Sequence, residues 1–235
     1  MDINILNEEK TIDKIKEGYS IARYGDGEFI RIVLKRRGIS KLQLFNPKMR
    51  KKLMEVLINP NKNLMIGIPG TDYKKRWTNI FHRKFAKFIS GKKIEKSIFA
   101  SAFFSRPSMV NRDNDEYFKK VISIWNNKKI VLINFNKDLV NHHLFKHCKV
   151  DFIQIPRSDC FSFYGEILKK CKEFYNKKKI FLLSAGPTAT CLAYDLTCDG
   201  EHAIDIGQIA FEYSLYKKKK DIIRWTSQNQ YRRKK

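Results

Sequence analysis

The chain predicts an α/β fold, a largely parallel sheet covered by helices, on three observations. Short apolar runs alternate with longer segments along almost the whole length. The longer segments carry apolar residues at three- and four-residue spacing, the period of a helix with one buried face. No internal repeat and no Gly/Ser- or Pro-rich linker divides the chain, so the alternation belongs to one sheet. In order, the predicted strands are Ile21 to Tyr24, Leu64 to Ile68, Ile98 to Ala102, Ile130 to Ile133, Phe152 to Ile155, Ile180 to Ser184 and Ala203 to Ile206. The helical patterns are Glu28 to Leu34, Pro47 to Ile58, Trp77 to Ile89, Asp115 to Trp125, Phe161 to Tyr175 and Pro187 to Leu196. Residues 1–216 form a single predicted domain. Residues 217–235, with Lys217-Lys218-Lys219-Lys220 and Arg232-Arg233-Lys234-Lys235, are too polar to extend a core and read as a basic C-terminal tail.

A chain of 235 residues, 43% hydrophobic, is long enough to bury a core without staples. Its five cysteines are odd in number and contain no CxxC pair, which fits reduced thiols. The start Met1-Asp2-Ile3-Asn4 lacks the basic and apolar regions of a secretory signal, and no run approaches the ~18 apolar residues of a membrane span. A cytoplasmic protein, possible at the inner face of the membrane, is the expectation. The net charge of +24 implies attraction to something anionic. A solvated basic surface is the first reading, peripheral association with an anionic membrane the second, and nucleic acid the least favoured.

Chemistry concentrates where strands end. Ser20-Ile21-Ala22-Arg23-Tyr24-Gly25-Asp26-Gly27-Glu28 places two carboxylates, one glycine apart, between a buried strand and a helix. Gly25 and Gly27 permit the tight turn, and open α/β sheets bind ligands beyond the carboxyl ends of their strands. Asp26 and Glu28 are therefore candidates to hold a divalent cation or a sugar hydroxyl. The same residues read equally well as a turn whose Asp caps the helix.

A second junction, Ser184-Ala185-Gly186-Pro187-Thr188-Ala189-Thr190, joins a strand to a helix with an anion-ready start. Gly186 removes a side chain where a ligand would approach, Pro187 suits the first helical position, and Thr188 and Thr190 add hydroxyls near the unpaired N–H groups. An ordinary capped helix start is the competing reading. Asp205 ends the next strand, just before Gly207 and Gln208, and brings a third carboxylate to the same edge. After another strand, Phe104-Ser105-Arg106-Pro107 offers a hydroxyl and a guanidinium suited to phosphate oxygens. Ser158 or Asp159 is read as an N-cap.

Weaker signals lie elsewhere. His142, His143 and His147 with Cys148 offer metal-capable groups on one predicted helix, but no second ligand pair accompanies them. Cys160 and Cys191 read as small buried thiols, and Trp77, Trp125 and Trp225 as packing residues rather than a sugar platform.

Taken together, Arg23-Tyr24-Gly25-Asp26-Gly27-Glu28, Phe104-Ser105-Arg106-Pro107, Ala185-Gly186-Pro187-Thr188-Ala189-Thr190 with Ala193-Tyr194-Asp195-Leu196, and Ala203-Ile204-Asp205-Ile206-Gly207 resemble the bacterial GT-D glycosyltransferases. Their order and spacing match over nearly the whole chain. The resemblance implies a Rossmann-like fold, a nucleotide-sugar donor that is typically a UDP-hexose, and a Mn²⁺ or Mg²⁺ ion. It assigns the Asp-x-Glu motif to Asp26 and Glu28 as metal ligands, with Asp205 joining them as catalytic residues. The donor would be bound by Arg23, Gly25, Gly27, Ser105, Arg106, Gly186, Pro187, Thr188, Thr190 and Gln208. A glycan acceptor, lipid-linked or not, in surface polysaccharide or glycoprotein synthesis completes the reading. The family pattern continues Asp-Ile-Gly-His with an acidic residue two positions on; here those places hold Gln208 and Ala210, and amide is a poor cation ligand. The contrasting expectations are a basic module that binds nucleic acid or membrane without catalysis, and a transferase that binds donor but has lost turnover.

Overall fold

The structure is a computed structural model describing residues 4–33, 43–59, 61–69, 97–110, 112 and 114–219, with only the backbone of Asp26, Ile30 and Val33. Its strands are β1 (Ile5–Leu6), β2 (Ser20–Arg23), β3 (Leu64–Ile68), β4 (Ile98–Ser101), β5 (Lys129–Asn134), β6 (Lys149–Gln154), β7 (Ile180–Leu183) and β8 (His202–Asp205). They form one sheet in the order β1-β4-β3-β2-β8-β7-β5-β6, and every pairing is parallel. The helices are α1 (Glu8–Lys16), α2 (Asp26–Val33), α3 (Pro47–Ile58), α4 (Asp115–Ile122), α5 (Tyr164–Lys172), α6 (Pro187–Cys198) and α7 (209–219).

A parallel sheet needs both faces covered, and two apolar clusters cover it here. On one face α3, through Met49, Leu53, Val56 and Leu57, packs with Phe29 and Ile32 of α2, Ile167 and Cys171 of α5, and the buried side of α6. On the other, Ile12 and Ile15 of α1 join Tyr117, Phe118 and Val121 of α4, with Trp125, Leu144 and Phe145. Alternate residues of each strand divide between the faces: Ala22 lies in the first cluster and Ile21 in the second. Helix starts are set by sequence. Asn7, Asn46 and Asn114 cap α1, α3 and α4 through their side chains, and Pro47 and Pro187 occupy first-turn positions.

All seven predicted strands are present, with boundaries shifted by up to three residues. The sequence reading missed β1 and α1, because Ile5-Leu6 is too short to register as a run and α1 is mostly charged. It also missed α7. That helix continues through 217–219, so the predicted tail boundary falls inside an element; residues 220–235 lie outside the described residues, as do Trp225 and the predicted helix Trp77 to Ile89. The Asp115 to Trp125 pattern ends as helix at Ile122 and turns on, and the Phe161 to Tyr175 pattern opens with a 3₁₀ turn, Cys160–Phe163. Histidines 142, 143 and 147 do not share a helix: the segment folds as two short 3₁₀ turns, Lys137–Asn141 and His143–Phe145. His142 instead accepts the Leu144 N–H and bonds Ser214.

The parallel register brings every strand end to one edge. Arg23 pairs with Gly67, Ile68 with Ser101 and Leu183 with Asp205. Connections leave β7 toward β8 and β5 toward β6, in opposite directions, so the strand order has its switch point between β7 and β5.

Trp125 tests the packing. It is 0% exposed and its indole N–H donates to the Leu144 carbonyl at 2.8 Å. Urea unfolding of Trp125→Ala should show a loss of about 3–5 kcal/mol, and Trp125→Phe, which keeps one aromatic ring but strands that carbonyl, about 1–3 kcal/mol.

Candidate active site

Arg23, the last residue of β2, organises the edge. Its Nη1 donates to the Ala102 carbonyl at 3.0 Å and to Ser105 Oγ at 2.7 Å, both in the turn after β4. Its Nη2 reaches Asp205 Oδ1, at the end of β8, at 3.2 Å. One guanidinium thus ties three strand ends together. Neighbouring glycines make room for it. A Cβ on Gly67 would press on Arg23 Cγ at 3.1 Å, and one on Gly207 would run into the guanidinium, with Cζ only 2.7 Å away. Gly207 also has φ of +50°, a conformation that side chains resist.

Asp205 is 4% exposed, and its Oδ1 also accepts the Gly207 N–H at 3.1 Å. Burial raises its affinity for a proton above that of a free Asp, while Arg23 pulls the other way. The Gly207 carbonyl accepts from Ser184 Oγ at 2.6 Å, which connects the end of β8 to the turn before α6.

Glu28 lies in the first turn of α2. Its Oε2 accepts the Gly25 N–H at 2.8 Å, closing back over the turn as the carboxylate of a capping box does. The reading of Asp26, the first residue of α2, as a helix cap turns on a side chain outside the described residues; among the described ones it is Glu28 that closes the turn. Burial raises the Glu28 proton affinity most, Asp205 raises it further, and Arg23 lowers it. Glu28, Arg23 and Asp205 therefore form one electrostatic unit. Gly27 accepts at its carbonyl from buried Arg31, which also donates to the Gln43 carbonyl.

At the second junction, Gly186 is exposed with φ of +56° and Pro187 starts α6. Thr188 and Thr190 are buried, and their hydroxyls point into protein: Thr190 donates to the Arg23 carbonyl at 2.8 Å and Thr188 to Gln43 Oε1 at 3.4 Å. They hold α6 against β2 and the 43–44 segment rather than lining its start with free hydroxyls. Arg106, just past Ser105, stands 3.6 Å from Glu212 Oε1, and the Ser108 N–H donates to the same carboxylate. Gln208 is exposed in the turn that opens α7, and its carbonyl accepts the Glu212 N–H.

Two residues of this network escaped the sequence reading. Gln43 bridges Asp159 Oδ1, at 2.7 Å, to the Phe161 N–H and Thr188. Glu212 is a buried acid inside an otherwise basic stretch, and that contrast was its available signal. Asp159, predicted as an N-cap, makes no capping bond through its side chain, which serves Gln43 and Ser162 instead. Cys160 and Cys191 are buried, with burial pushing Cys160 up to about 11, far from a reactive thiolate.

The model of the Glycosyltransferase GT-D fold family matches residues 21–231, which includes every group just described. The chain belongs to this family. Among GT-D relatives, the probable glycosyl transferase Gly of Streptococcus gordonii is 27% identical over 231 residues, 91% of this chain and 33% of that protein. Glycosyltransferase GlyD of Streptococcus pneumoniae serotype 4 is 29% identical over 127 residues, 52% of this chain and 16% of that protein. The chain thus spans 33% or less of the length of these curated relatives. A solved domain of unknown function 1792, with a distinct glycosyltransferase fold, superposes with a TM-score of 0.77 at 26% identity, covering 92% of this chain and 82% of that one. A new glycosyltransferase of the same domain type from Streptococcus sanguinis gives 0.73 at 25% identity, with coverage of 92% and 85%.

Two substitutions test the geometry. Gly207→Ala should displace Arg23 from Asp205 and lower the thermal midpoint by an amount corresponding to more than about 1 kcal/mol. Glu28→Gln keeps the acceptor for Gly25 but removes the charge. Because the folded-state pKa of Glu28 is raised, its contribution is fullest below about pH 4 and is lost as pH rises through the folded value. The melting temperature of the variant minus that of the wild type should therefore increase from about pH 4 to pH 7. A difference that falls with pH would mean that Arg23 outweighs burial.

Proposed function

We propose that the chain transfers a hexose from a nucleotide-sugar donor, a UDP-sugar in the first instance, to a glycan acceptor of a bacterial surface polysaccharide or glycoprotein. The observation that carries this reading is the convergence of Glu28, Arg23 and Asp205 at the strand edge that also holds the start of α6.

Transfer requires that charge developing on the departing diphosphate be met by fixed positive potential. The exposed Gly186 turn at the N-terminal end of α6 and Arg106, whose side chain is 41% exposed, supply it from two sides. Arg23 is committed to Ser105 and Asp205, so its part is to hold the edge in shape and set the charge on the carboxylates. If the anomeric centre inverts, the acceptor hydroxyl proton passes to Asp26 or Asp205, and burial raises the basicity of Asp205 in the direction a general base needs.

A Mn²⁺ or Mg²⁺ ion fits the donor set. Carboxylate oxygens are the ligands such cations take, and a bound cation would offset the burial that chiefly raises the Glu28 proton affinity. Glu28 and Asp26 would hold it, with donor phosphates and water completing the shell; among the described residues no three His, Cys, Asp or Glu cluster as a metal cage. The bound cation would act as a Lewis acid on the diphosphate oxygens. No helix of the described residues is long and apolar enough to cross a membrane.

The test is a thermal-shift panel of UDP, GDP, CDP and their sugars, with and without Mn²⁺, followed by a transfer assay. One nucleotide should stabilise the protein, and Glu28→Gln should abolish transfer with its far-UV spectrum unchanged. Full turnover in that variant would remove Glu28 from the mechanism; donor binding without turnover in the wild type would mark a transferase that has lost its chemistry.

A further inference from the structure

Helix α7 has two faces of different character. Its inner face is fully used. Ile209 is buried in the core, Glu212 is buried against Arg106 and the Ser108 N–H, and Tyr213 and Tyr216 pack on Phe118 with ring centroids 5.0 and 5.2 Å away. The outer face consists of Phe211, Ser214, Leu215, Lys218 and Lys219, all exposed. Those positions recur at three- and four-residue steps, so they form one continuous stripe. Phe211 is 59% exposed and Leu215 48%, and among the described residues these are the two most exposed large hydrophobic side chains.

We propose that this outer face of α7 docks the protein onto an anionic lipid bilayer. The apolar pair sits one helical turn apart at the start of the stripe, and lysines follow at its end, the arrangement of a helix that lies in a membrane interface with apolar side chains inserted and cationic ones among the headgroups. The charge is complementary throughout. Glu212 is the only acid of residues 209–219 and is turned inward, Lys217 pairs at the margin with Asp115 at 3.9 Å, and the chain as a whole carries +24. Two apolar side chains are too few for the core of a stable protein interface, whereas a shallow insertion beside a basic cluster is how peripheral membrane proteins gain affinity from two weak contributions. Nucleic acid would leave Phe211 and Leu215 in water with nothing to bury them. The placement also bears on the catalytic edge: α7 starts directly after Gly207 and Gln208, and its inner face holds Arg106. A bilayer against the outer face would lie beside that edge, where a lipid-linked acceptor is presented.

The proposal is read by lipid binding alone and stands or falls separately from transfer. The 235-residue chain is sedimented with phosphatidylcholine vesicles, with and without phosphatidylglycerol, across a salt series. Wild type should bind only the anionic vesicles, less at high salt, and the double variant Phe211→Ser/Leu215→Ser should bind at least about tenfold more weakly with an unchanged melting temperature. Phe211→Trp supplies a readout that does not depend on that variant folding: its emission, after subtraction of the wild-type signal, should shift to shorter wavelength on anionic vesicles. Equal binding by wild type and the double variant, no shift from the new tryptophan, or retention of a DNA duplex in place of vesicles would each overturn the assignment.

Discussion

The buried pair of Arg23 and Asp205 is the constraint on which the rest of this structure depends. Each residue terminates a strand, and the two strands meet in the middle of the sheet. A guanidinium in that position is costly unless its donors are met, and Ala102, Ser105 and Asp205 accept three of its N–H groups from two elements, the turn after β4 and the end of β8. The surrounding glycines at 67 and 207 follow from its volume, and the Thr190 bond to the Arg23 carbonyl fixes α6 over the same residue. A site built this way is preorganised: its shape is set before any ligand arrives.

Electrostatic economy explains why two carboxylates tolerate each other here. Burial raises the proton affinity of both carboxyls, Asp205 raises that of Glu28 further, and Arg23 lowers both. Asp205 is paired with Arg23, whereas Glu28 turns back to the Gly25 N–H at the start of α2. Gly186 follows β7 and Arg106 follows β4, so the exposed turn and the guanidinium flank β2 and β8 from opposite sides along the same edge.

Much of this was legible in the sequence because a parallel sheet writes itself plainly. Ile180-Phe181-Leu182-Leu183 and Leu64-Met65-Ile66-Gly67-Ile68 are buried on both faces and can only be strands of this kind. Glycines at 25, 186 and 207 marked the strand ends, and hence the edge that carries chemistry. What stayed hidden were partnerships over long separations. Nothing local in Thr188 or Thr190 says that their hydroxyls turn inward, since that depends on Gln43 and Arg23, 145 and 167 residues away. Glu212 was invisible for the same reason: its role depends on Arg106, and its helix is announced only by a lysine-rich stretch. The histidine group misled because four-residue spacing implies a shared face only if the segment is α-helical, and here it is not.

The order of strands has a temporal consequence. Strands β1 to β4 make one half of the sheet and β5 to β8 the other, joined through β2 and β8 with Ile21 opposite Ile204. Each half can pair its own strands as the chain leaves the ribosome, but Arg23 waits 182 residues for Asp205. During synthesis the nascent protein therefore holds two sheet fragments with an unclosed seam, and the last strand acts as the keystone. The edge is complete only when that seam closes, because the Arg23–Asp205 contact and the Ile21–Ile204 pairing both need β8.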